Sequence, residues 1–172
     1  MLLTVQQLQA QPPNFSLPEF RSALGMFATG VTIVTARTAE GTLIGLTASS
    51  FNSVSMSPPL VLWSLARTAG SMAAFSTGSH YAINILSASQ QDLARQFATP
   101  GVDRFAGVEV TLGAQGAPVL GGAVATFECF NRSQYEEGDH VIFVGEVERC
   151  AFQQGASPLL YHGGKFYAEH PL

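Results

Sequence analysis

The chain has 172 residues, of which 47% are hydrophobic and only 12% charged, with a formal net charge of -4. That length suits one domain, and a chain of this size buries roughly 70% of its unfolded surface. Charge this far below the usual quarter implies surface hidden in a subunit interface or a ligand site. Only eight Lys and Arg stand against twelve Asp and Glu, which argues against nucleic acid as the main partner. No apolar run nears the length of a membrane span, and the N-terminus lacks a signal peptide's basic start and apolar centre. Cys129 and Cys150 have no metal-like spacing, so two buried, reduced thiols in a soluble, cytoplasmic protein are expected rather than a disulfide.

Residues 1 to 15 are rich in Gln and Pro and are expected to form a flexible arm, with one domain from 16 to 172. Ser16 and Glu19 have capping-box spacing, with Pro18 in the first turn where its missing donor costs nothing. Phe20, Ala23, Leu24 and Phe27 follow at helical spacing, which predicts a helix from Leu17 to Ala28 stopped by Gly30. Val31 to Ala36 reads as a strand, and Glu40-Gly41 turns the chain back. Thr29 and Gly30, between helix end and strand start, are either a plain helix stop or a point of close backbone approach to a ligand.

The stretch from Leu43 to Leu65 organises the rest. It reads as two strands, Leu43 to Phe51 and Leu60 to Leu65, punctuated by Pro58-Pro59. Thr47, Ala48, Ser49 and Ser50 place hydroxyls and backbone amides together with little bulk. Such a strand either suits a flat ligand with carbonyl edges or a phosphate, or is an ordinary Ser/Thr-rich strand. Ser64, Arg67, Thr68 and Ser71 then cluster past a strand and at the start of a short helix ending near Gly78. Free amides, hydroxyls and a planar guanidinium make an anion site there, or Arg67 is simply solvated.

His80 to Ser87 is the next strand, and its Asn84 must find partners in neighbouring backbone or in a ligand edge. Ser87 and Gln90 open a helix through Leu93 and Phe97 that Pro100-Gly101 ends. Asp103 and Arg104 form either an internal ion pair or a second basic ligand contact. Strands are expected over Val108 to Leu112, Gly122 to Phe130 and Val141 to Cys150, with a polar turn from Tyr135 to Asp139. Gly121-Gly122 and Gly145 fit bulges or close packing in a curved sheet. His140, where that turn enters the last long strand, is structural or catalytic. Leu159 to Tyr167 suggests two edge strands around Gly163-Gly164.

About seven short strands with two or three short helices predict a mainly β protein with a small closed sheet. No G-x-G-x-x-G follows a strand, and Walker, G-x-S-x-G and H-E-x-x-H motifs are absent. His80, His140, His162 and His170 are scattered without metal-site spacing, so no metal is expected.

The ordered motifs resemble a known family. Phe20-Arg21-x-Ala23-Leu24-x-x-Phe27-Ala28-Thr29-Gly30-Val31-Thr32-Ile33-Val34-Thr35 is similar to the opening of the short-chain flavin reductases. Gly45-Leu46-Thr47-Ala48-Ser49-Ser50-Phe51-x-Ser53-Val54-Ser55 and Pro58-Pro59-Leu60-Val61 continue the match. Asn84-x-Leu86, Gly138-Asp139-His140 and Leu160-Tyr161-His162-Gly163-Gly164 extend it over about residues 19 to 168.

The resemblance implies a flavin-binding split β-barrel, usually a homodimer with flavin near the subunit interface. It implies reduction of FMN or FAD by NADH or NADPH, with many members supplying reduced flavin to a separate monooxygenase. Carried over by position, Thr47, Ala48, Ser49 and Ser50 would line the flavin ring, and Ser64, Arg67 and Ser71 would hold its phosphate. Thr29, Gly30 and Asn84 would add flavin contacts, and His140 would place the nicotinamide as the catalytic residue. Arg104 is a further contact, and Tyr161 and His162 would close the pocket. Three other readings compete: a flavin-dependent reductase of another acceptor such as a corrin, a non-enzymatic flavin-binding protein, and a β-barrel interaction module that binds no flavin.

Overall fold

The computed structural model describes residues 11 to 170. Most of the arm expected over residues 1 to 15 therefore lies outside the described residues. Ser16 caps α1 (Leu17–Gly25), its Oγ accepting from the Glu19 amide at 3.4 Å while the Glu19 carboxylate accepts from the Ser16 amide at 2.7 Å. The helix ends at Gly25 rather than running to Ala28. There the Gly163 amide donates to the Gly25 carbonyl at 2.9 Å, so a tertiary contact ends it before Gly30 can.

The chain continues through β1 (Thr29–Gly30), β2 (Thr32–Arg37), β3 (Leu43–Ala48), β4 (Asn52–Met56) and β5 (Pro59–Ala66). The organising stretch thus holds three strands where the sequence suggested two. Ser49 to Phe51 interrupt it, and Asn52 starts a new edge strand that pairs back onto β5. α2 (Met72–Thr77), β6 (His80–Ile85), a 3-10 turn and α3 (Gln91–Ala98) follow. The chain ends in β7 (Val110–Leu112), β8 (Pro118–Leu120), β9 (Ala125–Glu137), β10 (His140–Phe152), β11 (Leu159–His162) and β12 (Lys165–Ala168).

Seven strands form one antiparallel sheet in the order β3-β2-β6-β9-β10-β5-β4. Its two edge strands, β3 and β4, are consecutive in the chain and joined only by Ser49, Ser50 and Phe51. Residues 48 to 52 span at most about 14 Å when extended. In a flat sheet the same edges would stand about 29 Å apart, at six strand spacings. The sheet must therefore curl until its edges approach. It remains split between β3 and β4, so the closed sheet expected from the sequence is corrected to an open-edged, curled one. A three-stranded sheet, β1-β11-β12, and the β7-β8 pair stand apart.

Curling gives β2 two buried faces. Val34 and Ala36 point into the interior with Trp63, Leu65, Tyr81, Ile83, Cys129 and Phe143. Ile33 packs outward with Leu86, Phe97 and Leu120 under α3. Inside, the Trp63 ring stacks on Phe143 at 4.8 Å and meets the Phe75 ring edge-on at 4.9 Å. Gly145 lies at a register shift of the β9–β10 ladder, where a Cβ would collide with the Tyr81 hydroxyl. Outside, Gly45 leaves room for Phe97, whose ring would stand 2.7 Å from any Cβ there.

Four local expectations change. Both cysteines are free, but only Cys129 is buried; Cys150, near the end of β10, is exposed. Tyr135 is not in a turn: β9 runs on to Glu137, and only Gly138 and Asp139 connect it to β10. Gly138 has φ of 61°, which a tight hairpin of this kind takes up with glycine in its first position. The segment from Gly122 is a turn before β9, with Pro118 to Leu120 forming the short strand ahead of it. Asp103 and Arg104 do not pair, because Asp103 Oδ1 accepts from the Phe105 amide and Arg104 donates to the Gly45 carbonyl at 2.7 Å.

Candidate functional site

The split between β3 and β4 opens beside the tail hairpin. β1 pairs with β11 in the register Thr29↔Tyr161, and Gly163 and Gly164 turn β11 into β12 with φ of 55° and 81°. That arrangement carries Tyr161 and the glycine turn to the hydroxyl-rich end of β3. Between them lies a cleft of about 770 Å³ lined by Thr29, Ser49, Ser50 and Tyr161, with Arg21 and Phe27 on the side of α1. A second lobe of about 410 Å³ is lined by Thr47, Ala48, Arg95 and Phe166, and shares Ser49, Tyr161 and Gly164 with the first. Pockets for small organic ligands are of this size and mostly apolar, with a few placed polar groups.

The polar groups around the cleft differ in availability. Ser50 Oγ accepts from the Ser64 amide at 2.9 Å and donates to the Ser64 carbonyl at 3.2 Å, which fastens the split edge to β5. Thr47 Oγ1 donates to the Ala94 carbonyl at 2.7 Å, so it braces α3 against β3. Thr29 Oγ1 is buried and has no hydrogen-bond partner among the described residues. A buried hydroxyl left without a partner costs free energy unless something else satisfies it.

A second cluster forms where β5 leaves the sheet. The Arg67 amide donates to the Asp139 carbonyl at 2.9 Å, and His140 pairs with Ala66 across the ladder. His140 Nδ1 lies 2.7 Å from Asp139 Oδ1. Hydrogen bonding and the charge of His140 together hold the Asp139 carboxyl below its usual range. An ionised carboxylate only accepts, so Nδ1 carries the proton and Nε2 stays available. Arg67 lies 3.5 Å from Glu136, but both side chains are largely exposed. Such a pair contributes about 1 kcal/mol at most and yields readily to a stronger anion.

The other sequence-selected residues separate. Ser71 and Arg104 share a different pocket, of about 330 Å³, at the far end of β3. Ser71 makes no capping bond with its side chain, whereas the Arg104 guanidinium is committed to Gly45. Gly30 lies on β1 opposite Leu160, and His162 packs against the Tyr167 ring. Asn84 is corrected to a core residue: its amide donates to the Ile33 carbonyl at 3.0 Å and to Thr35 Oγ1 at 3.1 Å, and its Oδ1 accepts from the Leu120 amide at 2.9 Å. With zero exposure it has nothing left for a ligand. Arg21 and Arg95 were missed, because each stands as a single cation on a helix and only the fold turns it towards the cleft.

A curled, split antiparallel sheet with a two-lobed, nucleotide-sized cleft at its split defines a small ligand-binding β-barrel. More can be said from comparison. The chain belongs to the family described as flavin reductase like domain, whose sequence profile matches residues 24–170. It is 48% identical over 147 residues to the FMN reductase (NADH) SmoA of Agrobacterium fabrum, covering 86% of this chain and 83% of that one. It is 40% identical over 149 residues to the reductase component of the flavin-dependent trigonelline monooxygenase of Acinetobacter baylyi, covering 87% of this chain and 48% of that one. The solved structure of the NADH:FAD oxidoreductase SgcE6 of Streptomyces globisporus C-1027, in complex with NAD and FAD fragments, superimposes with a TM-score of 0.85 at 40% identity. That match covers 90% of this chain and 93% of the other.

Among the described residues no helix is long and apolar enough to cross a membrane. Among them, too, no group of three or more His, Cys, Asp or Glu side chains is placed to hold a metal ion.

Proposed function

We propose that this chain is an NAD(P)H-dependent flavin reductase that transfers a hydride to FMN or FAD, acting as a cytoplasmic homodimer. One observation carries the reading. The cleft at the split presents a backbone-rich strand end and an aromatic wall, with no acid–base set among the residues lining it. Hydride transfer between two rings needs alignment more than proton chemistry. When bound, flavin supplies the ring that accepts the hydride.

The chain's own residues do the rest. Thr29 Oγ1 and the edge from Thr47 to Ser50 hold the flavin ring against Tyr161. Gly30 keeps the backbone slim beside them, and His162 steadies the tail hairpin through Tyr167. Arg67 and Ser64 take the phosphate end near the β9–β10 turn; Ser71 is a further polar contact in the separate pocket at the far end of β3, which Arg104 braces through Gly45. His140, oriented by Asp139 at Nδ1, offers Nε2 to the nicotinamide side. The exposed apolar face of α1, with Leu24 and Phe27 beside the cleft, suits burial against a second copy. The name of the trigonelline monooxygenase reductase supports a role in supplying reduced flavin to a separate monooxygenase. Residues 16 to 172 form the single functional domain in this reading.

Blocking the cleft tests it. Ser49→Trp should fold as the wild type does and bind FMN and FAD at least tenfold more weakly by flavin-fluorescence titration, because it fills space shared by both lobes. Unchanged flavin affinity in that variant would place the flavin elsewhere.

A further inference from the structure

We propose that Arg21 is the cation that meets the negative charge a flavin ring gains on accepting a hydride, so that the cleft binds reduced flavin more tightly than oxidised. The proposal rests on the flavin reductase reading of the cleft and assigns the redox preference of that same site. Hydride transfer breaks a C–H bond of the dihydronicotinamide ring and forms an N–H bond on the flavin ring. The dihydronicotinamide is oxidised to a nicotinamide cation. The flavin takes up two electrons and one proton and becomes an anion. A ring that is neutral in one redox state and anionic in the other is held differently by a fixed cation.

Arg21 is the one charged side chain lining the cleft of about 770 Å³, and every other residue that lines it is neutral. Its place follows from the fold. The Gly163 amide donates to the Gly25 carbonyl at 2.9 Å, which pins the last turn of α1 beside the glycine turn of the tail hairpin. Arg21 stands one helical turn before Gly25 and so shares its face of α1. The guanidinium is not engaged elsewhere: among the described residues it forms no ion pair. Glu19, the one acid on α1, turns instead to Ser16, its carboxylate accepting from the Ser16 amide at 2.7 Å. Arg21 is exposed, so water screens its charge until a ring covers it. Leu24 and Phe27 line the same wall, and a ring lying against them excludes that water and strengthens the field of the guanidinium. Arg67 and His140 stand apart from this wall, beside the β9–β10 turn, and do not line the cleft.

The test separates the ring from the phosphate and one redox state from the other. Wild type, Arg21→Gln and Arg21→Lys would be titrated by anaerobic calorimetry with riboflavin and with FMN, each oxidised and dithionite-reduced. Loss of the one cation predicts reduced flavin binding about tenfold weaker in Arg21→Gln, with oxidised flavin held to within about twofold. Riboflavin should show the same difference as FMN, because it carries the ring without the phosphate. A tenfold change in that preference lowers the midpoint potential of bound FMN by about 30 mV for a two-electron couple, which a redox titration reads directly. Arg21→Lys keeps the charge and should restore most of the preference. Equal weakening of oxidised and reduced FMN, with riboflavin unaffected, would make Arg21 a phosphate contact and overturn the assignment. Unchanged affinity for both redox states in Arg21→Gln would overturn it too. Wild-type protein that bound neither flavin in either state would instead remove the reading beneath it.

Discussion

The interior of the curled sheet and the face that carries α1 and the tail hairpin are built from similar residues to opposite ends. Inside, Trp63, Tyr81, Ile83 and Phe143 are essentially without exposure, and the Trp63 ring meets those of Tyr81 and Phe143. On the other face, Leu24 is 58% exposed and Phe27 76%, and α1 buries none of its own residues. Both sets are large and apolar, so hydrophobicity alone does not distinguish them. What differs is partnership: one set is completed by the chain's own strands, the other borders a cleft and is left uncovered by the described residues. Stability belongs to the first region, and recognition to the second.

Mutations should respect that division. The largest effect belongs to Trp63→Ala, which should cost about 3–5 kcal/mol in urea unfolding by emptying the centre of the interior. Phe27→Ala, removing a ring from the cleft side, should cost the separated monomer about 0.5 kcal/mol or less in the same measurement, made at protein concentrations below dimer association. A comparable loss in both would erase the contrast.

Asn84→Ala comes next. It strands the Leu120 amide and the Ile33 carbonyl in the core and should cost about 1–3 kcal/mol. Flavin affinity measured below the unfolding transition should hold, since Asn84 lies wholly inside. Arg67→Ala reverses the pattern: stability within about 0.5 kcal/mol of wild type, because its ion pair is exposed, with flavin affinity about tenfold weaker.

The last effect is on pH dependence, shows only at alkaline pH and belongs to the interior. Burial pushes the Cys129 thiol from its ordinary 9.0 up to about 12, and burial also raises the Tyr81 phenol. An unfolded chain would release the thiol proton near its ordinary value while the folded chain keeps it. Stability should therefore fall as pH rises from about 9 towards 12 and be indifferent to this group below that window. Thermal melts across that range in wild type and Cys129→Ala check the sign, the variant showing the shallower alkaline decline.

Strand and helix identities were legible where local chemistry decides them. Ser16 with Glu19 announced α1, Ser87 with Gln90 the helix region ending in α3, and Gly163-Gly164 the tail hairpin. Boundaries set by distant partners were not. Gly163 ends α1 from the far end of the chain, and β4 exists as a strand only because β5 offers it an edge. The same limit governs the site. Thr47 to Ser50 announced itself through its hydroxyls, and Thr29 and Tyr161 joined it through the β1–β11 register. The sequence left open whether Asn84 serves ligand or core, since a buried amide satisfies either, and the curl of the sheet decides for the core. Arg95 carried no local signal at all; only the packing of α3 beside β3 and Phe166 brings it to the cleft.

The most direct measurement of the central claim is the rate of NADH oxidation by the purified protein with FMN, with FAD and with no added flavin. The account predicts slow oxidation without flavin and a rate that rises with added flavin to saturation. Flavin binding with no NADH or NADPH consumption under any of these conditions would contradict it and leave the cleft as a binding site without a reaction.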